Sequence, residues 1–360
     1  MNNILVMHSH AHPSLQPQDA IKLCYQAAFG AEHLLINEEK ARNYFNAEWE
    51  SVSSADIPLC EMISESYGRV NLAAWRQMSL PQEWLFRMFV LTASEEAPNG
   101  MQALQTWFET VDRMASANQL PFTYEAWIHA REDYRKNGGG AVHHSEFYRQ
   151  NEHPSYRVIK RQYIALIPLL QKLAKIAPQK GQPAVIAIDG QAASGKTTLA
   201  RQLSDILGAG VIHMDDFFLP PDLRTPERLA QAGGNVHYER FAEQVIPHLR
   251  NNEAFTYPVF NCSKMCIDGE QTVIASSWRI AEGSYSHHPQ LGHYMDLRIF
   301  CHVSPHEQMR RIRERNGEQM SAMFAERWIP MEELYFRTYA VREHADIQIT
   351  NESTGQGEQV

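Results

Sequence analysis

No run of 18 consecutive apolar residues occurs in this 360-residue chain, so no membrane-spanning helix and no membrane partner are expected. An excess of positive charge is missing too: 33 Lys and Arg stand against 42 Asp and Glu, a net charge of −9, with a pI near 6.0. Without a basic balance the chain is not built to neutralise phosphates along a duplex, and no nucleic-acid partner is predicted. Cysteine is scarce. Cys24, Cys60, Cys262, Cys266 and Cys301 are odd in number and scattered, as expected of reduced thiols in a cytoplasm. Cys262 and Cys266 stand four apart, but no second pair accompanies them, so free thiols are expected there rather than a metal site. The short apolar run Ile4-Leu5-Val6-Met7 has no positive segment before it and soon turns polar, so no signal peptide is read and a cytoplasmic location is expected. No internal repeat is visible.

What is present falls into two halves with different grammar, and a chain of this length exceeds one typical core. Residues 1–177 read as an all-α domain of unknown role. Gln18–Phe29, Glu32–Glu48, Gln82–Ala93, Met101–Met114 and Tyr156–Ala174 carry apolar residues at three- and four-residue spacing. The polar segment 178–183, bounded by Pro178 and Pro183, is the expected linker. Residues 184–350 alternate between strand and helix patterns. Strands are expected at Ala184–Asp189, Val211–Met214, Arg279–Ala281, Leu297–Val303 and Asp346–Ile349. Helices are expected at Lys196–Leu207, Glu239–Leu249, Pro305–Arg315 and Ser321–Trp328. That order implies an α/β domain with a parallel sheet covered on both faces and ligands at the strands' carboxyl ends. Residues 351–360 are expected to be a flexible tail.

The sharpest motif is Gly190-Gln191-Ala192-Ala193-Ser194-Gly195-Lys196-Thr197, directly after the apolar run Ala184–Ile188. It is the phosphate loop G-x-x-x-x-G-K-[ST] in its required context of strand, glycine turn and helix. The two glycines let successive N–H groups face phosphate oxygens, and the helix N-terminus adds its positive end. Gly190, Ala193, Ser194, Gly195, Lys196, Thr197 and Thr198 are therefore expected around the phosphates of ATP. Lys196 would reach the outer phosphates and the Thr197 hydroxyl would hold Mg²⁺.

The neighbours choose the chemistry. Val211-Ile212-His213-Met214 runs into Asp215-Asp216, where a carboxylate at a strand end can accept the proton of an attacking hydroxyl or hold Mg²⁺ through water. Which of the two aspartates does so stays open at this point, as does a plain turn role. Glu282 closes another strand and suits a Walker-B-type carboxylate on Mg²⁺; a loop glutamate before Gly283 is the alternative. Arg310, Arg311, Arg313 and Arg315 lie on two turns of helix. They are expected to form a lid over the migrating phosphoryl group, with Arg311 and Arg315 facing inward, rather than a solvated face.

Together these pieces resemble the uridine kinase/phosphoribulokinase family of P-loop small-molecule kinases, from Ala184 to Ile349. The match rests on the loop, on Asp215-Asp216-Phe217-Phe218, Asn235–Arg240, Tyr257–Asn261, Glu282–Tyr285, Arg310–Gly317 and Ala345-Asp346-Ile347. The resemblance implies transfer of the ATP γ-phosphoryl group to a hydroxyl of a small molecule. It makes Asp215 the general base, Thr197 and Glu282 the magnesium shell and Arg315 a lid arginine. It places the acceptor near Asp216, His237, Arg240, Phe260, Asn261 and Tyr285. A nucleoside is the leading acceptor on resemblance. His237 stands where nucleoside kinases of the family carry an aspartate, and Phe260 and Met265 replace their base-contacting tyrosine and histidine. Those departures favour a non-nucleoside alcohol or a sugar phosphate. A nucleotide-gated regulatory module is the rival from another class, and a homo-oligomer stays open.

Two polar clusters mark the N-terminal half. In a strand, His8, His10 and His12 would present three imidazoles on one face and suit a metal; with Pro13 following, a loosely held segment is the expectation. His143-His144-Ser145-Glu146-Phe147-Tyr148-Arg149, followed by Tyr156-Arg157, reads equally as a binding site or as a helix cap with surface packing.

Overall fold

The computed structural model describes residues 1–35, 37–53, 57–176, 178 and 181–352. The chain divides into two compact units, Met1–Lys175 and Ile176–Val360. Of the expected linker, residues 179 and 180 lie outside the described residues, as do residues 353–360 of the expected tail. Among the described residues no helix is long and apolar enough to cross a membrane.

The first unit is mainly helical. Pro17–Phe29, Gln82–Ala93 and Gly100–Ser116 form close to the expected bounds. Their apolar stripes bury Leu23, Leu85, Phe86, Trp107 and Phe108, with Trp75 and Trp127 completing an aromatic-rich core. Three expectations are corrected. The helix expected from Glu32 begins at Glu38, where Asn37 caps it by accepting the Lys40 N–H at 2.9 Å. Asn2–Ala11 is a helix with Leu5, His8 and Ser9 buried, neither a strand nor a loose end. Tyr156–Lys160 is a strand, so the unit carries a small sheet and is not purely helical. We label β1 Cys60–Met62, β2 Tyr67–Asn71 and β3 Tyr156–Lys160, an antiparallel sheet in the order β1-β2-β3. Val158 and Ile159 are buried in β3. A β-branched pair beside an open edge of β2 gains more from a pleated partner than from another helical turn.

The second unit holds β4 Ala184–Gly190, β5 Gly210–His213, β6 Phe255–Asn261, β7 Cys266–Val273, β8 Trp278–Glu282, β9 Leu297–His302 and β10 Ile347–Thr350. Five of these make one parallel sheet in the order β10-β9-β4-β8-β5, flanked by helices. This is the α/β fold that the alternation implied. Every residue of the central strand β4 is buried, as a near-continuous apolar run between two covered faces must be. Strand β4 feeds the helix Lys196–Leu207, which Gly208 closes in a left-handed conformation. The β6–β7 hairpin and the helix Ile329–Thr338 were not foreseen. The expected helix Glu239–Leu249 is two short pieces, Tyr238–Gln244 and Ile246–Leu249, broken ahead of Pro247. In the arginine-rich helix Pro305–Met323, Gly317 breaks the helical path with φ 78.

Candidate functional site

The parallel sheet brings three strand ends together. Register aligns Ile188 of β4 with Glu282 of β8, and Glu282 in turn with His213 of β5. The phosphate loop after β4, the carboxylate ending β8 and the aspartates after β5 therefore share one edge, where this topology places its ligands.

The loop wraps tightly. A Cβ on Gly190 would stand 1.9 Å from the Cys301 carbonyl oxygen of β9, so only glycine fits there. Ala193 and Gly195 have positive φ, 58 and 93, which turns their amides inward. Ser194 is buried, and its Oγ has no hydrogen-bond partner among the described residues. Lys196 is buried, and its Nζ donates to the carbonyls of Gly190 and Gln191, each at 2.8 Å. Thr198, on the first helical turn, is exposed. Arg311 grips the loop from outside: Nη1 donates to Ala193 O at 3.2 Å, Nη2 to Asn351 O at 2.8 Å, and Nε to Glu307 at 2.8 Å.

Thr197 Oγ1 lies 3.2 and 3.3 Å from the two carboxylate oxygens of Glu282. His213 Nδ1 pairs with Glu282 Oε1 at 2.6 Å, and that bond raises the histidine's pKa above its usual range. A hydroxyl and a carboxylate so placed are the hard oxygen donors that Mg²⁺ prefers.

The paired aspartates separate cleanly. Asp215 is open to solvent, yet protein crowds around it. Desolvation raises its pKa, with Lys196 pulling it down and Glu282 and Asp216 pushing it up. Its carboxylate has no hydrogen-bond partner among the described residues. Asp216 is held instead, its Oδ2 accepting from the Tyr257 hydroxyl at 2.8 Å and its backbone carbonyl from Arg240 Nη2. Desolvation raises its pKa as well, against that hydrogen bond.

The remaining acceptor-side candidates are less free. Arg240 is buried, donates to Pro258 O at 2.5 Å and lies over the Phe217 ring; burial lowers its pKa to about 10. His237 caps the helix Tyr238–Gln244, its Nδ1 accepting the Arg240 N–H at 3.3 Å. Asn261 Oδ1 accepts from Ser263 and Lys264 in the β6–β7 turn. Phe260 is buried, next to a bulge in β6. Tyr285 is buried, hydrogen-bonds Asn235 and has φ 76, a strained conformation for a bulky residue of the kind found at ligand sites. Arg315 is exposed, its Nε donating to Asn316.

Several residues at this edge carried no sequence signal. Glu332, buried on the helix Ile329–Thr338, accepts the Ala192 N–H at 2.9 Å and the Ser284 hydroxyl at 2.6 Å; burial raises its pKa. Asp189, fully buried, gathers Gly190 N–H, Tyr285 N–H, His287 N–H and the Tyr335 hydroxyl. Only the alternation of β5 could have aimed His213 at Glu282.

In the first unit, His144 is buried between Asp19 and Tyr156, at 2.8 and 2.7 Å, and Ser145 caps the next helix while also donating to Asp19. His143 gives Gln18 its carbonyl, and Arg149 is exposed beside Glu146.

No family model matches the chain, and no curated protein matches its sequence. Solved structures similar to it include a candidate uridine kinase from Bacillus stearothermophilus, 22% identical, which spans 52% of this chain and 99% of that one with a TM-score of 0.39. A candidate fructose transport system kinase from Silicibacter sp. TM1040, also 22% identical, spans 48% and 91% with a TM-score of 0.38.

Proposed function

We propose that the second unit is an ATP-dependent kinase that transfers the γ-phosphoryl group to a hydroxyl of a small metabolite. One observation carries this reading: an unpaired, solvent-open carboxylate, Asp215, stands at the strand edge shared by Lys196, Thr197 and Glu282. A protein that only binds nucleotide needs no base beside the phosphates. The acceptor hydroxyl gives its proton to Asp215, whose raised pKa brings it closer to the working pH of a general base. Lys196, poised on two loop carbonyls, reaches the outer phosphates by a side-chain rotation. Ser194 Oγ and the inward-turned amides supply further donors. Thr197 and Glu282 would hold Mg²⁺, which when bound neutralises charge on the phosphates. Arg311 holds the shape of the loop, and the exposed Arg315 is the arginine we assign to the lid.

We place the acceptor between Asp215, Asp216, the His237–Arg240 segment, Phe260-Asn261 and Tyr285. A nucleoside is the first acceptor to test. The reading with a non-nucleoside alcohol is favoured by His237, which faces a helix cap where a carboxylate for a ribose diol would be needed. The test is ADP release by the purified protein with Mg²⁺ and ATP across a panel of nucleosides, sugars, sugar phosphates and other alcohols. Release that depends on one acceptor class is the expected result. Release indifferent to every acceptor, or none at all, sinks the kinase reading and leaves the nucleotide-gated module.

A further inference from the structure

His8 and His12 are one helical turn apart, so the helix Asn2–Ala11 and its C-cap carry them on one face, while the exposed His10 points elsewhere. Glu61 of β1 lies between them, pairing with His8 Nδ1 through Oε1 and with His12 Nε2 through Oε2 at 3.3 Å. One ligand atom from each of the three lies within 4.8 Å of the others. Among the described residues no other group of histidine, cysteine and carboxylate side chains is so gathered. From this geometry we infer that the first unit carries a binding site for a divalent transition-metal ion of borderline softness, such as Zn²⁺, held by His8, His12 and Glu61.

The donor set suits that ion. Two imidazoles and one carboxylate are the protein ligands of His₂Glu zinc sites, which keep a position open. Ligand atoms around tetrahedral zinc stand ~3.4 Å apart at the usual bond lengths, so the cluster needs only a small adjustment. The His12 ring has its other nitrogen, Nδ1, 3.1 Å from Glu152 Oε2. A carboxylate there fixes the tautomer of a ligating histidine and raises its basicity. Glu152 is fixed in turn by the Ser14 N–H at 3.1 Å. Access is open on one side: the side chains of His12 and Glu61 are 26% and 31% exposed, while that of His8 is only 1% exposed.

One contact opposes the site. Arg69 Nη1 donates toward His8 Nε2 at 3.4 Å, and coordination through Nδ1 would leave a proton on Nε2. Arg69 must then let that contact go and keep its bonds to Gln26 and Tyr148. This cost, and the guanidinium charge, set the expected affinity at micromolar rather than tighter.

The test is titration of the full-length, chelator-treated protein with Co²⁺ and with Zn²⁺, followed by the visible absorption of Co²⁺ and by calorimetry. One equivalent is expected to bind the wild type with a micromolar dissociation constant and to raise its melting temperature by linkage. His12→Ala and Glu61→Gln are expected to remove this binding. Glu152→Gln is expected to weaken it by roughly 10- to 100-fold, and His10→Ala to leave it unchanged. Failure of the folded wild type to bind either ion at tens of micromolar overturns the proposal, whatever the variants do. Binding that persists undiminished in both His12→Ala and Glu61→Gln overturns it equally.

Discussion

Both units bury satisfied carboxylates, Asp19 in the first and Asp189 and Glu332 in the second, but their candidate sites hold charge in different styles. In the first, Arg69 is 3% exposed and hydrogen-bonds Gln26. From it a continuous polar chain runs through Tyr156, His144 and Asp19 on one side, and through His8, Glu61, His12 and Glu152 on the other. In the second, groups of the proposed transfer site are left less committed: Asp215 and Arg315 are exposed, and among the described residues Lys196 bonds only carbonyls of its own loop. A satisfied network resists movement, since losing one member leaves its partners buried and unpaired. A transfer site must exchange partners during turnover. The difference teaches that the same residue types serve order in one unit and availability in the other.

The comparison breaks most easily at the loop. Lys196→Ala is expected to cut phosphoryl transfer by roughly 10³-fold or more, with circular dichroism and melting temperature nearly unchanged; unaltered turnover would end the phosphate-loop reading. Asp215→Asn should lower turnover by roughly 10²–10⁴-fold, the span for a lost general base, with nucleotide affinity much less affected. Asp216→Asn is expected to do less, because its carboxylate is bonded to Tyr257. If the larger loss belongs to Asp216, the roles at the end of β5 are reversed.

Matched arginine changes sharpen the contrast. Arg69→Leu should destabilise the first unit by about 3–5 kcal/mol, the range for breaking a buried charged network. Arg315→Leu should move stability by less than about 0.5 kcal/mol while slowing transfer. Denaturant unfolding together with steady-state kinetics on both variants checks this. Equal stability losses would mean that the exposed arginine is as much a part of the structure as the buried one.

How far each unit could be read from sequence follows from the same difference. The phosphate loop is contiguous, and its strand, turn and helix announce themselves in a dozen residues. Asp215 and Glu282 follow from strand ends in a parallel sheet. Glu332 does not, because it meets Ala192 across 140 residues, through a helix that the apolar spacing after Trp328 did not suggest. In the first unit the buried polar cluster is joined by contacts of that long-range kind: Asp19 meets His144 across 125 residues and His8 meets Glu61 across 53. The spacing predicts helix over Tyr156–Lys160 because Ile159 and Tyr163 continue the period of the helix that follows. Pairing with β2 decided otherwise, and sequence periodicity does not contain that tertiary gain. The histidine segment is a helix where the sequence reading weighs only a strand or a loosely held end, because the contacts that hold it lie far along the chain.

Acid probes the buried network directly. Burial lowers the His144 pKa to about 4, with Arg69 and Lys22 adding to the fall and Asp19 opposing it. An unfolded histidine binds its proton near 6.5, so between about 4 and 6.5 the unfolded chain holds a proton that the native unit does not. Stability contributed by His144 is therefore full above 6.5 and is lost as pH falls toward 4, on the order of 3 kcal/mol at the limit. His33, also lowered to about 4 by burial, acts in the same direction. His12, raised above its usual value, acts oppositely. Urea unfolding at several pH values should show declining stability in acid, less steep in His144→Gln. A slope indifferent to that change would exclude His144 from the network's acid response.

The smallest expected effect lies at His237, where the two styles meet in one side chain. Its Nδ1 accepts the Arg240 N–H that opens a helix, and the ring also lies 3.2 Å from Glu239, so part of its value is structural. His237→Ala removes the cap and should cost about 0.5–2 kcal/mol of stability. It should also raise KM for the true acceptor and leave KM for ATP nearly unchanged. His237→Asp separates the two contributions, because aspartate is itself a favoured N-cap and adds a carboxylate able to hold a ribose diol. Restored stability with improved activity on uridine or cytidine would show that this position selects the acceptor. Restored stability with an unchanged acceptor profile would show that His237 does no more than cap its helix. Strong wild-type phosphorylation of uridine, indifferent to both substitutions, would then make the departures at His237 irrelevant to substrate choice.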